Sequence, residues 1–189
     1  MTKWLSHRMV ERGIIKEEEQ ELYQFGIRNG MILLLNVVTA LVIGLLTEQL
    51  AVVAVFTLSF MVLRSYTGGY HSDSRIFCYL GSNLVLLVPV YTQAVFYKTS
   101  LAWLLAVLLV SAGIIFLLSP MHSKNRKLDK EEQKHFGRKA RLIAALELAV
   151  LGILWHAGQI PYAYAVYTGI CITALFMLVG KAQLWIQSH

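Results

Sequence analysis

The stretch "RSYTGGYHSDSRIFC", from Arg64 to Cys78, gathers two arginines, two glycines, an aspartate, a histidine and a cysteine between two apolar runs. A cysteine and a histidine suffice for thiol nucleophilic chemistry. The thiolate attacks, and a neighbouring imidazole takes its proton and holds the resulting ion pair. His71 and Cys78 are seven residues apart; on one continuous helix that is roughly 10 Å of rise, too far for direct contact. The backbone must therefore turn, and Gly68 and Gly69 allow it to. Ser72 and Asp73 both suit the N-cap of a helix. The pattern predicts His71 on a loop and Cys78 in the first two turns of the helix that follows.

Arg64 and Arg75 would add positive potential favouring the thiolate, and a helix N-terminus would help if Cys78 lies in its first turn. Gly68 and Gly69 would let the backbone approach a substrate or present N–H donors to an oxyanion. Asp73 has two readings, an orienter of the imidazole as in a catalytic triad, or a cap on the next helix. A competing reading makes Cys78 a small core residue and His71 a solvated loop residue. Cys171, inside the last apolar run without an acid–base partner nearby, reads as a core residue.

The elements that must hold this cluster are apolar. The chain is 57% hydrophobic and only 15% charged, where soluble domains are nearer a quarter charged. The expected fold is all-α, a polytopic membrane helical bundle. Six apolar segments fall at 26–47, 49–64, 78–97, 101–119, 140–157 and 162–180, against the about 20 residues needed to cross a bilayer. The second segment is short, so it tilts little or is re-entrant, and the "TEQ" before it predicts a tight helical hairpin. Residues 1–25 read as an amphipathic interfacial segment, lying on the membrane surface or packed on the rest of the protein, and 26–189 as a single transmembrane domain. The N-terminus lacks the layout of a cleavable signal peptide. Cys78 and Cys171 form no CxxC, so neither a zinc site nor a disulfide framework is indicated. No metal or cofactor is expected.

The formal charge is +6, from 17 basic and 11 acidic residues. It suits an anionic lipid bilayer or an acidic partner. Nucleic acid is not indicated, because the basic residues flank apolar spans. With six spans and a cytosolic N-terminus, Lys98 is the one basic residue left outside, and the other sixteen lie inside. That asymmetry fits the positive-inside rule and puts both termini and the 64–78 loop at the cytosolic face. A basic loop is expected at 120–141, containing Lys124, Arg126, Lys127 and Lys130. It is a topology signal, a docking site for an acidic substrate segment, or both. Glu147, inside the fifth segment, should face a polar interior or a basic partner. Asn36 and Asn83 suit interhelical hydrogen bonds.

The spacing of Arg64, Gly69, His71 and Cys78 resembles the AgrB family of quorum-sensing membrane endopeptidases. A second match is "SPMHSKNRKL", Ser119 to Leu128, similar to that family's proline and short basic loop after the fourth segment. It departs from some versions in lacking a proline after the basic residues, since Arg126 is followed by Lys127 and Leu128. Length and segment order agree over nearly the whole chain. The resemblance implies that His71 and Cys78 are the catalytic pair, with Arg64 and Gly69 beside them. It implies cleavage of an AgrD-like precursor peptide, a thioester on the cysteine, and ring closure by an internal nucleophile of the peptide. Such precursors carry an acidic C-terminal tail, which Lys124, Arg126, Lys127 and Lys130 would dock. Self-association into a homodimer is suggested by the family and specified by no residue here. The rival readings, a small peptide transporter or a non-catalytic membrane scaffold, leave His71 and Cys78 without a role. The sequence shows neither a P-loop nor paired Gly/Pro-broken helices.

Six spans make a direct prediction. Single cysteines at Lys98 and Gln159 should react with a membrane-impermeant maleimide added outside intact cells. Labelling of Gln159 from the cytosolic side alone would overturn the six-span arrangement.

Overall fold

The computed structural model describes residues 2–68, 75–121 and 129–188. Every element among them is helical: α1 (Thr2–Glu11), a 3-10 turn (Glu17–Glu19), α2 (Gln20–Leu46), α3 (Leu50–Thr67), α4 (Arg75–Tyr91), α5 (Gln93–Lys98), α6 (Leu101–Leu118), α7 (Lys130–His156) and α8 (Ile160–Ser188). The all-α expectation holds. Large apolar side chains face outward, with Leu46, Leu109 and Leu117 at 80%, 72% and 82% exposure. Water would penalise such surface, whereas lipid tails are as apolar as leucine. By length and composition four helices could cross a membrane: Glu17–Leu46, α3, α6 and Ile160–Ile186 of α8. The third expected segment supplies a shorter apolar helix, Tyr79–Tyr91, and α7 carries Lys139, Arg141 and Glu147 through its middle.

The chain divides into two compact units, residues 1–39 and 40–189. In the first, the Arg8 guanidinium lies 4.8 Å from the Trp4 ring. Gly13 turns the chain at φ +67, and the Lys16 amide donates to the Glu19 carboxylate at 3.3 Å. α2 begins at Gln20 and runs unbroken to Leu46.

The second unit is arranged about α8, which packs against α3, α4, α5, α6 and α7. Val166, Ile170, Ala174 and Met177 of α8 join Leu63 of α3, Leu108 and Ile115 of α6 and Ala144 of α7 in one buried cluster. Tyr164, Ala165 and Ile172 join Val52, Val53, Phe56, Leu86 and Phe96 in another. The predicted "TEQ" hairpin is present: α2 stops at Leu46, α3 starts at Leu50, and the Gln49 amide donates to the Gly44 carbonyl at 2.9 Å.

Two expectations change. Segment 78–97 is two helices, with α4 ending at Tyr91 and α5 starting at Gln93. Pro89 brings no N–H to the end of α4. The Thr92 hydroxyl caps the Val88 carbonyl at 2.8 Å and sits 2.6 Å from the Tyr164 hydroxyl of α8. The basic stretch expected as a loop over 120–141 is helical from Lys130 onward. Asp129 stands at the N-cap with extended backbone, and Glu131 and Glu132 occupy the first turn, where the helix dipole favours negative charge.

α3 and α8 meet at Gly169, where an added Cβ would lie 2.6 Å from Ser59 Oγ and 3.4 Å from the Phe60 amide nitrogen. Ser59 Oγ donates to the Glu147 carboxylate of α7 at 2.9 Å. Gly169→Ala should turn the Ser59 hydroxyl away and strip Glu147 of that bond. The expected cost is about 1–3 kcal/mol, read as a lowered Tm in lipid nanodiscs. Adding Ser59→Ala to Gly169→Ala should recover the steric part of the loss. An unchanged Tm for the single variant would mean that the contact is looser than this.

Candidate active site

The opening cluster begins on the last turn of α3. Gly68 ends that helix, its amide donating to the Arg64 carbonyl at 3.2 Å. Its φ of +72 is open to glycine and strained for other residues. The Met121 amide donates to the Thr67 carbonyl at 2.9 Å, so the chain leaving α6 is tied to the chain leaving α3. A Cβ on Gly68 would sit 2.7 Å from the Met121 carbonyl oxygen. Backbone conformation and close approach therefore both call for glycine at 68.

α7 supports this junction from the other side. The Phe136 ring lies 6.4 Å from the Tyr66 ring, and Lys139 Nζ sits 5.8 Å from the Tyr66 centroid. Buried Gly137 faces the turn after α6: its added Cβ would meet Pro120 Cδ at 3.0 Å and the Ser119 carbonyl at 3.5 Å. Arg141 Nε donates to the Phe116 carbonyl at 3.2 Å, near the C-terminal end of α6, where a cation is favoured. The Arg64 guanidinium lies over the rings of Phe176 at 4.8 Å and Phe60 at 5.9 Å, tying α3 to α8. Ser119 Oγ lies 4.0 Å from Met177 Sδ. The C-terminal ends of α3 and α6 thus meet the first half of α7 and the 176–177 turn of α8.

α4 begins at Arg75, so Cys78 falls in the first turn of that helix. Gly69, His71 and Asp73 lie outside the described residues, as do the side chains of Arg75 and Cys78. Gly68 leads directly into 69–74, and Met121 directly into 122–128. The structure therefore brings together the stems of the two segments that the sequence singled out. Lys124, Arg126 and Lys127 fall outside the described residues, and Lys130 opens α7. Farther along α7, Lys134, Arg138 and Lys139 are exposed, Lys134 and Arg138 one turn apart.

The remaining polar candidates are also placed. Among the described residues, Glu147 is held by Ser59 and no arginine is paired with it. Cys171 is half-buried in α8, with Ser111 and Tyr167 as hydrogen-bond partners and no base among them. Asn83 Oδ1 is buried without a hydrogen-bond partner among the described residues, so the interhelical bond expected of it is not made by that atom. Among the described residues, no three His, Cys, Asp or Glu side chains gather as a metal site needs. An apolar cavity of ≈ 270 Å³ lies between α6, α7 and α8, lined by residues that include Leu104, Leu108, Trp155 and Tyr167, apart from the α3–α6 junction.

Sequence reasoning did not single out Gly137, Thr67 or Met121. One signal was present: a glycine in "EEQKHFGRKAR", otherwise rich in helix formers, costs about 1 kcal/mol relative to alanine and points to close packing. The Thr67–Met121 bond had no sequence signal, since backbone atoms make it.

Comparison with known proteins identifies the family. The model of a family described as accessory gene regulator B matches residues 1–178. The chain is 26% identical over 156 residues to accessory gene regulator protein B of Staphylococcus intermedius, covering 80% of each. It is 23% identical over 148 residues to an AgrB-like protein of Clostridium perfringens (strain SM101 / Type A), covering 75% of this chain and 69% of that one. No solved structure matches. With all but its last eleven residues inside the family match and its described helices largely apolar, the chain belongs to the accessory gene regulator B (AgrB) family of membrane proteins.

Proposed function

We propose that this protein is a membrane cysteine endopeptidase of a quorum-sensing system, cleaving an AgrD-like precursor peptide and cyclising it through a thioester on Cys78. The observation that carries the reading is the position of Cys78 in the first turn of α4, just past the segment that bears His71. Amide dipoles at a helix N-terminus favour a thiolate.

The chemistry follows from those two groups. His71 takes the Cys78 proton, and the thiolate attacks the carbonyl carbon at the C-terminal end of the future signal. The oxyanion collapses, the C–N bond breaks, and the imidazolium returns its proton to the leaving amine. The C-terminal fragment departs and the N-terminal part stays as a thioester. An internal thiol of the peptide then attacks the thioester, its proton passes to the Cys78 thiolate, and a thiolactone ring leaves. A thioester and a thiolactone lie close in energy, so exchange conserves acyl energy that hydrolysis would dissipate. A site that excludes water favours that outcome.

The same reading includes a multi-pass protein of the bacterial cell membrane with cytosolic termini, organised as an interfacial segment at 1–25 and a transmembrane domain at 26–189. Asp73, Arg64, Gly68, Gly69 and Arg75 support the site. Lys124, Arg126, Lys127 and Lys130 dock an acidic precursor tail, and two copies associate.

Cys78→Ala and His71→Ala should each abolish cleavage of the precursor while leaving membrane insertion intact, and Cys171→Ala should remain active. A precursor whose ring-closing cysteine is alanine should leave a hydroxylamine-sensitive adduct on Cys78, visible by intact mass. An active Cys78→Ala enzyme would overturn the assignment of the nucleophile. Efficient cleavage without any adduct would replace cyclisation by direct hydrolysis.

Neutralising Lys124, Arg126, Lys127 and Lys130 together should weaken capture at subsaturating precursor. Raised salt should do the same, because exposed charges are screened beyond about 8–10 Å. Rates indifferent to both changes would leave the basic residues as a topology signal only.

A further inference from the structure

We propose that the apolar cavity between α6, α7 and α8 is a lipid site, taking one acyl chain of an anionic phospholipid whose phosphate is held at Lys98 and His156. The site requires only the membrane bundle and stands whether or not Cys78 is the nucleophile. The cavity holds ≈ 270 Å³, and Leu104, Leu108, Leu151 and Trp155 are on its wall. The hydroxyl of Tyr167, also on the wall, is engaged with Cys171. A buried water needs two to four polar partners, which a wall of this kind does not offer. An apolar cavity of about 150 Å³ already takes benzene, so this one has room for a segment of one alkyl chain. Left empty, its lining would forfeit dispersion contacts on one side.

The cavity opens toward lipid. Leu101 and Leu105 line it yet are 54% and 48% exposed, and Trp103 and Leu109 of the same helix turn outward as well. It lies at the end of the bundle away from the α3–α6 junction. Along α7, Trp155 comes nineteen residues after Phe136, roughly 28 Å of rise. That is close to the about 30 Å thickness of a bilayer's hydrocarbon core. Tyr97, Trp103 and Trp155 belong to this end, and such rings collect at the level of the headgroups.

The polar groups beside the mouth suit an anion. His156 lines the cavity and is exposed. Lys98, also exposed, ends α5 two residues after the wall residue Phe96 and three before Leu101. Its long stem can carry the ammonium to headgroup oxygens, and imidazole donates an N–H in either protonation state. α6 turns the positive end of its dipole this way, and its N-cap Ser100 makes no side-chain capping bond. No acidic residue occurs in 74–128 or 148–189. Glu48, on the α2–α3 turn at this end, does not line the cavity. An apolar slot with a basic mouth matches an alkyl chain that ends in a phosphate.

Native mass spectrometry of the full-length protein, released from detergent micelles doped with phosphatidylglycerol, tests this. The parent should retain one lipid per chain, saturating as the lipid is raised. Gly152→Leu fills the cavity: Gly152 lines it, and an added Cβ there meets nothing within 4 Å. This variant should lose the bound lipid. Gly113→Leu adds the same atoms at an equally open position off the wall and should keep it. Diacylglycerol, which has the chains without the phosphate, should bind the parent more weakly. Lys98→Gln with His156→Gln should weaken phosphatidylglycerol about tenfold, as two exposed polar contacts allow, and leave diacylglycerol unchanged.

A parent that retains no lipid, or many without saturation, overturns the proposal. So does retention by Gly152→Leu equal to the parent's, an equal loss in Gly113→Leu, or equal retention of phosphatidylglycerol and diacylglycerol. If Gly152→Leu does not insert, a phosphatidylglycerol with brominated chains replaces it as the probe. In a Trp103→Phe background it should quench tryptophan emission saturably at one equivalent, and adding Trp155→Phe should remove that step. Quenching indifferent to Trp155→Phe overturns the site.

Discussion

α8 is the element on which the other helices of residues 40–189 are fitted. In a bilayer, leaving lipid for a neighbouring helix brings little hydrophobic gain, so close packing decides which faces turn inward. α8 supplies small residues on its packed faces, with Ala163, Ala165 and Ala174 almost fully buried and Gly169 facing Ser59. Bulkier Ile170 and Met177 fill the spaces between. α6, almost without polar residues, leaves Leu105, Leu109 and Leu117 exposed. The more polar helix is the more buried one, the reverse of what water would impose.

That packing fixes where α3 and α6 end. Because α3 and α6 both lean on α8, their C-terminal ends emerge side by side, and a main-chain hydrogen bond joins Thr67 to Met121. α7 returns along the same face and closes the junction with Phe136, Gly137 and Arg141. Segments more than fifty residues apart in sequence share one anchor. Polar contacts inside the bundle also link distant helices. Ser59 to Glu147 and Thr92 to Tyr164 each satisfy groups that would be expensive alone in an apolar surround.

Much of this was legible in the residues. A low charge fraction and long apolar runs required a helical bundle, since in hydrocarbon a backbone without water must bond to itself. The spacing of Arg64, Gly69, His71 and Cys78 pointed to thiol chemistry and to the family, and glycine at 68 followed from the need to turn. The expectation that Cys78 lies within the first two turns of a helix agrees with α4, which begins at Arg75. Less legible were the breaks: Pro89 and Thr92 split one apolar run into two helices, and Asp129 with two glutamates drew Lys130–Arg141 into α7. Those signals are local, but they compete with hydrophobic and charge patterns that span longer windows.

The sequence by itself determined the element type and the membrane-like character, because composition, periodicity and local backbone preference are properties of neighbours along the chain; the family was carried by a resemblance at Arg64, Gly69, His71 and Cys78. Only the tertiary structure decided that α8 is the buried helix, that Glu147 is held by Ser59, that Cys171 sits with Ser111 and Tyr167, and that Gly137 lies against Pro120. Each of these depends on which helix faces which. That choice is made by close-packed fit and backbone hydrogen bonding between segments far apart in sequence, and neither leaves a periodic trace in the residues.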